Sequence, residues 1–249
     1  DRGPLLVDGH SRAHAVGDEP LLLARAVPTV VARDRIAGAA LAAAQKATVI
    51  VMDDGLQNPS LRKDLAIAVV DGRRGLGNGR VFPAGPLRAP LAAQMPFVSA
   101  VLIVGAARPA CAPVIDAAQA RNIPVLHAAL TPDADVVASL RGRSLLAFAG
   151  IGDPAKFAAT LTDAGAPPQR LAPFADHHRF TEREAADLLA EAKAGALQLV
   201  TTEKDLARLT GAATPALAQL ARDAFALPVR LTVSEPGVLA GLLRATLNR

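Results

Sequence analysis

The sequence predicts an α/β fold, a mostly parallel sheet with flanking helices, arranged as two lobes. Three observations carry that expectation. Short continuous apolar runs alternate with Ala/Leu-rich helical segments, the pattern of strands buried on both faces and joined by crossover helices. Apolar residues make up 51% of the 249 and charged residues 20%, enough for a sizeable core and unlike a disordered or collagen-like chain. No repeat period interrupts the alternation.

The first helix is expected at residues 20–26, because Asp18 and Glu19 precede it where the helix dipole favours acids and Pro20 fits its first turn. A strand at 29–32 and a helix at 35–46 follow. The run Val49-Ile50-Val51-Met52 makes 48–52 a buried strand, ended by Asp53-Asp54-Gly55. Apolar runs give strands at 66–70 and 97–104, then a helix at 113–121 and a strand at 123–127. Thr131-Pro132-Asp133 and Arg141-Gly142-Arg143 break the rhythm, so residues 131–143 are expected to divide a lobe at 1–140 from another at 141–249, with a cleft between them. The second lobe restarts with a strand at 144–149, Asp153 as N-cap and Pro154 opening a helix to 164. Thr181 and Glu184 form a capping-box signature for a helix at 182–193. A strand at 197–201, a helix at 216–224, a strand at 229–232 and a helix at 237–246 complete the expected order.

Composition excludes several functions. The net charge of +4 is too small to announce a nucleic-acid binder but suits an anionic substrate or surface. With no Trp or Tyr and 7 Phe, stacking platforms for single strands are nearly ruled out. Cys111 is alone, so no internal disulfide is possible, and no Cys/His run has zinc spacing; the chain reads as intracellular. It opens without a signal peptide and without Met, as a chain beginning partway through a gene product would. The uncharged stretch 89–107 contains Pro90, Gln94, Pro96 and Ser99, which suits a loop, a short helix and a buried strand better than a membrane span.

Five segments could carry chemistry. Asp53-Asp54, expected at the carboxyl end of a buried strand, could hold hydrated Mg²⁺ beside a phosphate as a Walker B motif does, although Asp-Gly also makes an ordinary turn. Residues 62–88 hold six basic side chains against two acidic ones, with five glycines, and could hold phosphates or be a solvated loop. Asp176-His177-His178 lies in the loop entering the capped helix; an imidazole beside a carboxylate suits proton transfer or metal binding, with surface polarity as the alternative. Gly17-Asp18-Glu19-Pro20 is, by itself, a helix cap. Thr201-Thr202-Glu203-Lys204-Asp205 could present a lysine to a ligand, but capping is the default.

Together VGDEPLLLA (16–24), VMDDGLQ (51–57), DLAIAVVDGRRGLGNGRVFPAGPLR (64–88), AFAGIGDPAKF (147–157), FADHHRFT (174–181) and VTTEKD (200–205) resemble the tetraacyldisaccharide 4'-kinases of lipid A biosynthesis, in order and over nearly the whole chain. The resemblance implies a P-loop-kinase-like fold and transfer of the ATP γ-phosphate to the 4'-hydroxyl of a tetraacylated glucosamine disaccharide 1-phosphate. By its motifs Asp18 would take the hydroxyl's proton, with His177 as partner and Asp176 adjacent. Asp53 would help hold Mg²⁺, with Asp54 and Gln57 at the nucleotide, while Glu19 and Arg88 would face the lipid substrate. It further implies a monomer working peripherally on the anionic cytoplasmic face of the inner membrane of a Gram-negative-type bacterium, with no nucleic-acid partner. Asp18, Asp53 and His177 should then converge on one triphosphate pocket.

The sequence departs from the family at three points. No GxxxxGK[ST] occurs in the 249 residues, although relatives carry that loop and a membrane-associating helix before VGDEP, so the chain is expected to be truncated and to turn over little or not at all. The missing strand should also leave a sheet edge uncovered. Asn58 and Ala89 stand where relatives commonly carry His and an acidic residue, and inherit no role. The alternatives are a non-catalytic lipid- or nucleotide-binding module and a DHH-type metal phosphoesterase, which needs further aspartates.

Overall fold

The computed structural model describes residues 3–212 and 214–248. In chain order the elements are β1 (Leu5–Leu6), α1 (Ala13–Val16), α2 (Asp18–Leu23), β2 (Val30–Val31), α3 (Arg35–Ala44), β3 (Ile67–Asp71), α4 (Leu91–Gln94), β4 (Ala100–Val104), α5 (Ala112–Gln119) and β5 (Val125–Pro132). Then come α6 (Ala134–Leu140), β6 (Leu145–Ala149), α7 (Pro154–Asp163), β7 (Arg170–Pro173), α8 (Glu182–Gly195), β8 (Gln198–Thr202), α9 (Glu203–Leu209), α10 (Pro215–Asp223), β9 (Phe225–Leu227), β10 (Val229–Val233) and α11 (Pro236–Leu247). Residues 1–48 with 132–229 form one unit, and 49–131 with 230–249 form the other. The chain thus crosses between units three times, where the sequence reading expects a single division at 140.

The first unit is built on a sheet of order β7-β6-β8-β9, all parallel. Its central strand β6 is buried on both faces because its residues alternate between two cores. Leu145, Ala147 and Ala149 face Phe157, Leu161 and Leu140, whereas Leu146 and Phe148 face Leu188, Leu209 and Leu220. Phe148 meets Phe180 edge-on at 5.6 Å. Asp153 and Thr181 cap α7 and α8 through their side chains, and the Thr181–Glu184 capping box is complete in both directions. The chain leaves β6 to reach β7 on one side and returns to β8 on the other. The carboxyl ends of these strands are therefore a topological switch point, where α/β sheets gather ligand-binding loops.

The second unit carries a sheet of order β10-β5-β4-β3, with β3, β4 and β5 parallel. Val101 and Ile103 pack against Met95, Val98 and Val114 on one face, and Leu102 against Leu126 on the other. Residues 48–52 correct the expected strand. They pair with no strand among the described residues, and Val51 is 91% exposed. An apolar run becomes a strand only where a neighbour satisfies its backbone, and β3 is the edge of its sheet. Asp53 and Asp54 therefore stand in an exposed turn, Asp54 with φ 54°, and not at a strand's end. The expected break at 131–143 is also a helix, α6, with Asp133 as its N-cap. Among the described residues no helix is long and apolar enough to cross a membrane.

Candidate functional site

Three loops meet at the carboxyl edge of the first unit's sheet. Gly150 follows β6, Asp176-His177-His178 follows β7, and α9 follows β8 directly. They fit because residue 150 has no side chain. A Cβ there would stand 3.0 Å from the Cβ of His178 and 3.1 Å from Oδ1 of Asp205.

Asp18 reaches this edge from α2. Gly17, with φ 94°, ends α1 and starts α2 in one residue, a turn that an L side chain disfavours. Asp18 does not cap its helix. It is buried, at 7% exposed, and accepts a hydrogen bond from Nη2 of Arg208. Its Oδ1 lies 3.6 Å from Nδ1 of His177. Burial works to raise the Asp18 carboxyl, but the charge and hydrogen bond of Arg208 outweigh it, so the group stays below the usual carboxylate range.

Arg208 binds the site to the sheet. Its Nη1 donates to the Gly150 carbonyl at 2.6 Å and to Oδ1 of Asp205 at 2.7 Å. Asp205 has no exposed surface; it also accepts from the Gly150 N–H at 3.1 Å and from the Thr202 hydroxyl at 2.7 Å. Burial pushes the Asp205 carboxyl up, against the opposing pull of Thr202, Arg208 and Gly150. Lys204, one turn before Arg208 on α9, pairs with Glu19.

The two histidines have different surroundings. His177 is left-handed at φ 55°, and its N–H donates to the Gly150 carbonyl at 3.1 Å and to Oδ1 of Asp176 at 3.0 Å. Its ring is mostly exposed, 4.0 Å from Asp176 and 3.4 Å from Nη2 of Arg208. His178 instead stacks on Phe174 at 4.9 Å and holds Glu184 at 3.0 Å, which makes it part of the loop's support. A hollow of about 430 Å³ opens beside Asp18, His177 and Arg208, lined also by Arg12, Arg179 and Phe180.

The remaining expected site residues belong to the second unit. Asp53 is exposed, Asp54 pairs with Arg88, and Nε2 of Gln57 donates to Oε1 of Gln94 at 2.6 Å. Within the first unit the structure joins Asp18, His177, Asp176 and Glu19, and within the second it joins Asp54 with Arg88. Sequence reasoning held Asp205 only as part of a capping segment and missed Arg208. Their signal was a D-x-x-R spacing on the helix after a buried strand, which puts both on one face.

Residues 1–248 match the family described as tetraacyldisaccharide-1-P 4'-kinase. The tetraacyldisaccharide 4'-kinase of Rhodopseudomonas palustris strain BisB5 is 52% identical over 250 residues, covering 100% of this chain and 72% of that protein. That of Methylobacterium sp. strain 4-46 is 54% identical over 246 residues, covering 98% of this chain and 70% of its own. The crystal structure of the "apo" form of LpxK from Aquifex aeolicus in complex with ATP superposes with a TM-score of 0.71 at 24% identity, over 99% of this chain and 75% of the other. That likeness bears out the P-loop-kinase-like α/β fold.

Proposed function

The chain belongs to the tetraacyldisaccharide-1-P 4'-kinase family, and on that premise we propose that it serves lipid A biosynthesis by moving the γ-phosphate of ATP to the 4'-hydroxyl of a tetraacylated disaccharide 1-phosphate. The observation that carries the reading is the buried, ionised Asp18 facing His177 beside a hollow able to admit a sugar. Phosphoryl transfer asks for an oriented hydroxyl and balanced charge more than for covalent chemistry. Asp18 accepts a hydrogen bond from the attacking hydroxyl and then its proton, and His177, 3.6 Å away, is its partner in that transfer. Asp176 holds the backbone of His177 in its left-handed turn and so aims the ring.

Asp53 is the carboxylate to hold Mg²⁺, with Asp54 beside it tied to Arg88. Exposed carboxylate oxygens fit this ion, which takes one or two carboxylates and keeps waters and phosphate oxygens for the rest of its shell. When bound it neutralises charge on the transferring phosphates. Gln57 lies near the nucleotide in this reading, and Glu19 and Arg88 near the lipid. Asp53→Asn is expected to weaken Mg²⁺ at least tenfold, read as the Mg²⁺ concentration giving half-maximal turnover. Peripheral attachment as a monomer to the anionic cytoplasmic face of the inner membrane completes the proposal, supported by the basic segment 62–88.

The deciding experiment is transfer of ³²P from ATP to tetraacyldisaccharide 1-phosphate. Because the 249 residues hold no GxxxxGK[ST], two arms are compared: the chain itself, and the chain joined to a segment bearing that loop. Product in the second arm supports the reading, and turnover by the chain alone would overturn the expectation that it is impaired. No product in either arm, with vesicle or nucleotide binding retained, would favour a binding module. The phosphoesterase alternative loses ground, since no group of three ligating side chains is placed for a metal among the described residues.

A further inference from the structure

We infer that Arg208 is the positioning residue of the acceptor site: one edge of its guanidinium is fastened to the sheet and the other holds Asp18 in the orientation that meets the substrate hydroxyl. The inference rests on the reading of Asp18 just given. Four partners define it. Nη1 donates to the Gly150 carbonyl at 2.6 Å and to Asp205 at 2.7 Å, while Nη2 donates to Oδ2 of Asp18 and lies 3.4 Å from the ring of His177. The side chains of Arg208 and Asp18 are each 8% exposed and that of Asp205 not at all, so water competes little for these bonds.

At the start of α2 the Asp18 carboxylate is met otherwise only by its own backbone N–H, among the described residues. Its helix has Gly17 as N-cap and no side-chain capping bond. The anchor behind Arg208 is by contrast over-determined, because Asp205 is held by the Gly150 N–H, by the Thr202 hydroxyl and by its place in the first turn of α9. Two strands of the sheet, β6 and β8, therefore reach Asp18 through a single planar group. Lys204 and Arg208, one turn apart, grip Glu19 and Asp18, which are consecutive. The outer pair is half-exposed and screened by salt, so the inner one carries the positioning. A planar fork can serve both edges at once; a lysine is one point charge and cannot. With Oδ2 engaged by Arg208, Oδ1 remains on the His177 side for the hydroxyl.

Two measurements test this on the chain of 249 residues and on its loop-bearing form. In the first, the Asp18 carboxyl is titrated by ¹³C NMR in the parent and in Arg208→Gln, Arg208→Lys and Asp205→Asn proteins. The charged groups acting on Asp18 are Arg208 and Asp205 of α9 and His177 of the loop after β7, and Arg12 and Arg179 line the same hollow. Arg208→Gln is expected to raise the Asp18 midpoint by about one pH unit, a tenfold change in proton affinity, with Arg208→Lys between it and the parent. An unchanged midpoint in a folded Arg208→Gln protein, or in Arg208→Lys if the glutamine protein does not fold, overturns the inference. In the second, Arg208→Lys is expected to lower kcat at least tenfold in the transfer assay with KM within threefold. A loss confined to KM, or parent kcat, would overturn it. The Asp18 reading fails separately, if Asp18→Asn turns over normally while the NMR coupling to Arg208 persists.

Discussion

Asp18→Asn is expected to lower kcat for phosphoryl transfer by about 10²–10⁴-fold, the range of a lost general base, with KM for ATP and lipid nearly unchanged. The amide keeps the shape of the carboxylate and one oxygen to accept from Arg208, so α2 should stay in place. What disappears is the negative charge against His177 at 3.6 Å and the acceptor for the substrate hydroxyl. The rate should fall without loss of thermal stability beyond about 1–2 kcal/mol, the cost of weakening one charge-assisted bond. Initial rates across pH 5–9 in the loop-bearing form, with a melting curve for each protein, provide the check. A variant within threefold of the parent would remove Asp18 from the chemistry.

Asp205→Ala is expected to be the most damaging substitution to the fold, at about 3–5 kcal/mol of unfolding free energy, the cost of removing one member of a buried ion pair. Asp205 accepts from Arg208, the Thr202 hydroxyl and the Gly150 N–H, and alanine leaves three donors facing a cavity. Against a typical domain stability of about 5–15 kcal/mol this is a large fraction. Asp205→Asn keeps an acceptor in place without the charge and is expected to lose only about 1–3 kcal/mol. Urea unfolding followed by circular dichroism separates the two; equal midpoints would mean that the charge of Asp205, and not its hydrogen bonds, supports the site.

Local signals made much of the first unit legible in the sequence. The apolar run at 144–149, Asp153-Pro154 and the Thr181–Glu184 box each act within a few residues, and each forms the element expected of it. The misreadings are those in which a distant partner decides. Val49-Ile50-Val51 has the composition of a buried strand but no backbone neighbour among the described residues, and Thr131-Pro132-Asp133 looks like a break but caps α6. Asp18 and His177 were found through motifs. Arg208 was not, because its importance arises from pairing with a residue 190 positions away, and a lone arginine on a short helix carries no such mark. Glu19 shows the converse: its motif suggests a substrate contact, yet in the structure it pairs with Lys204.

The bare α-carbon of Gly150 has a wider implication for redesign. With its absent methyl already spoken for by His178 and Asp205, the histidine loop, the β6 turn and α9 share one interlocking clearance. Grafting a different loop sequence at any one of the three to alter acceptor preference would jam the other two, so new specificity has to be introduced in the three loops together.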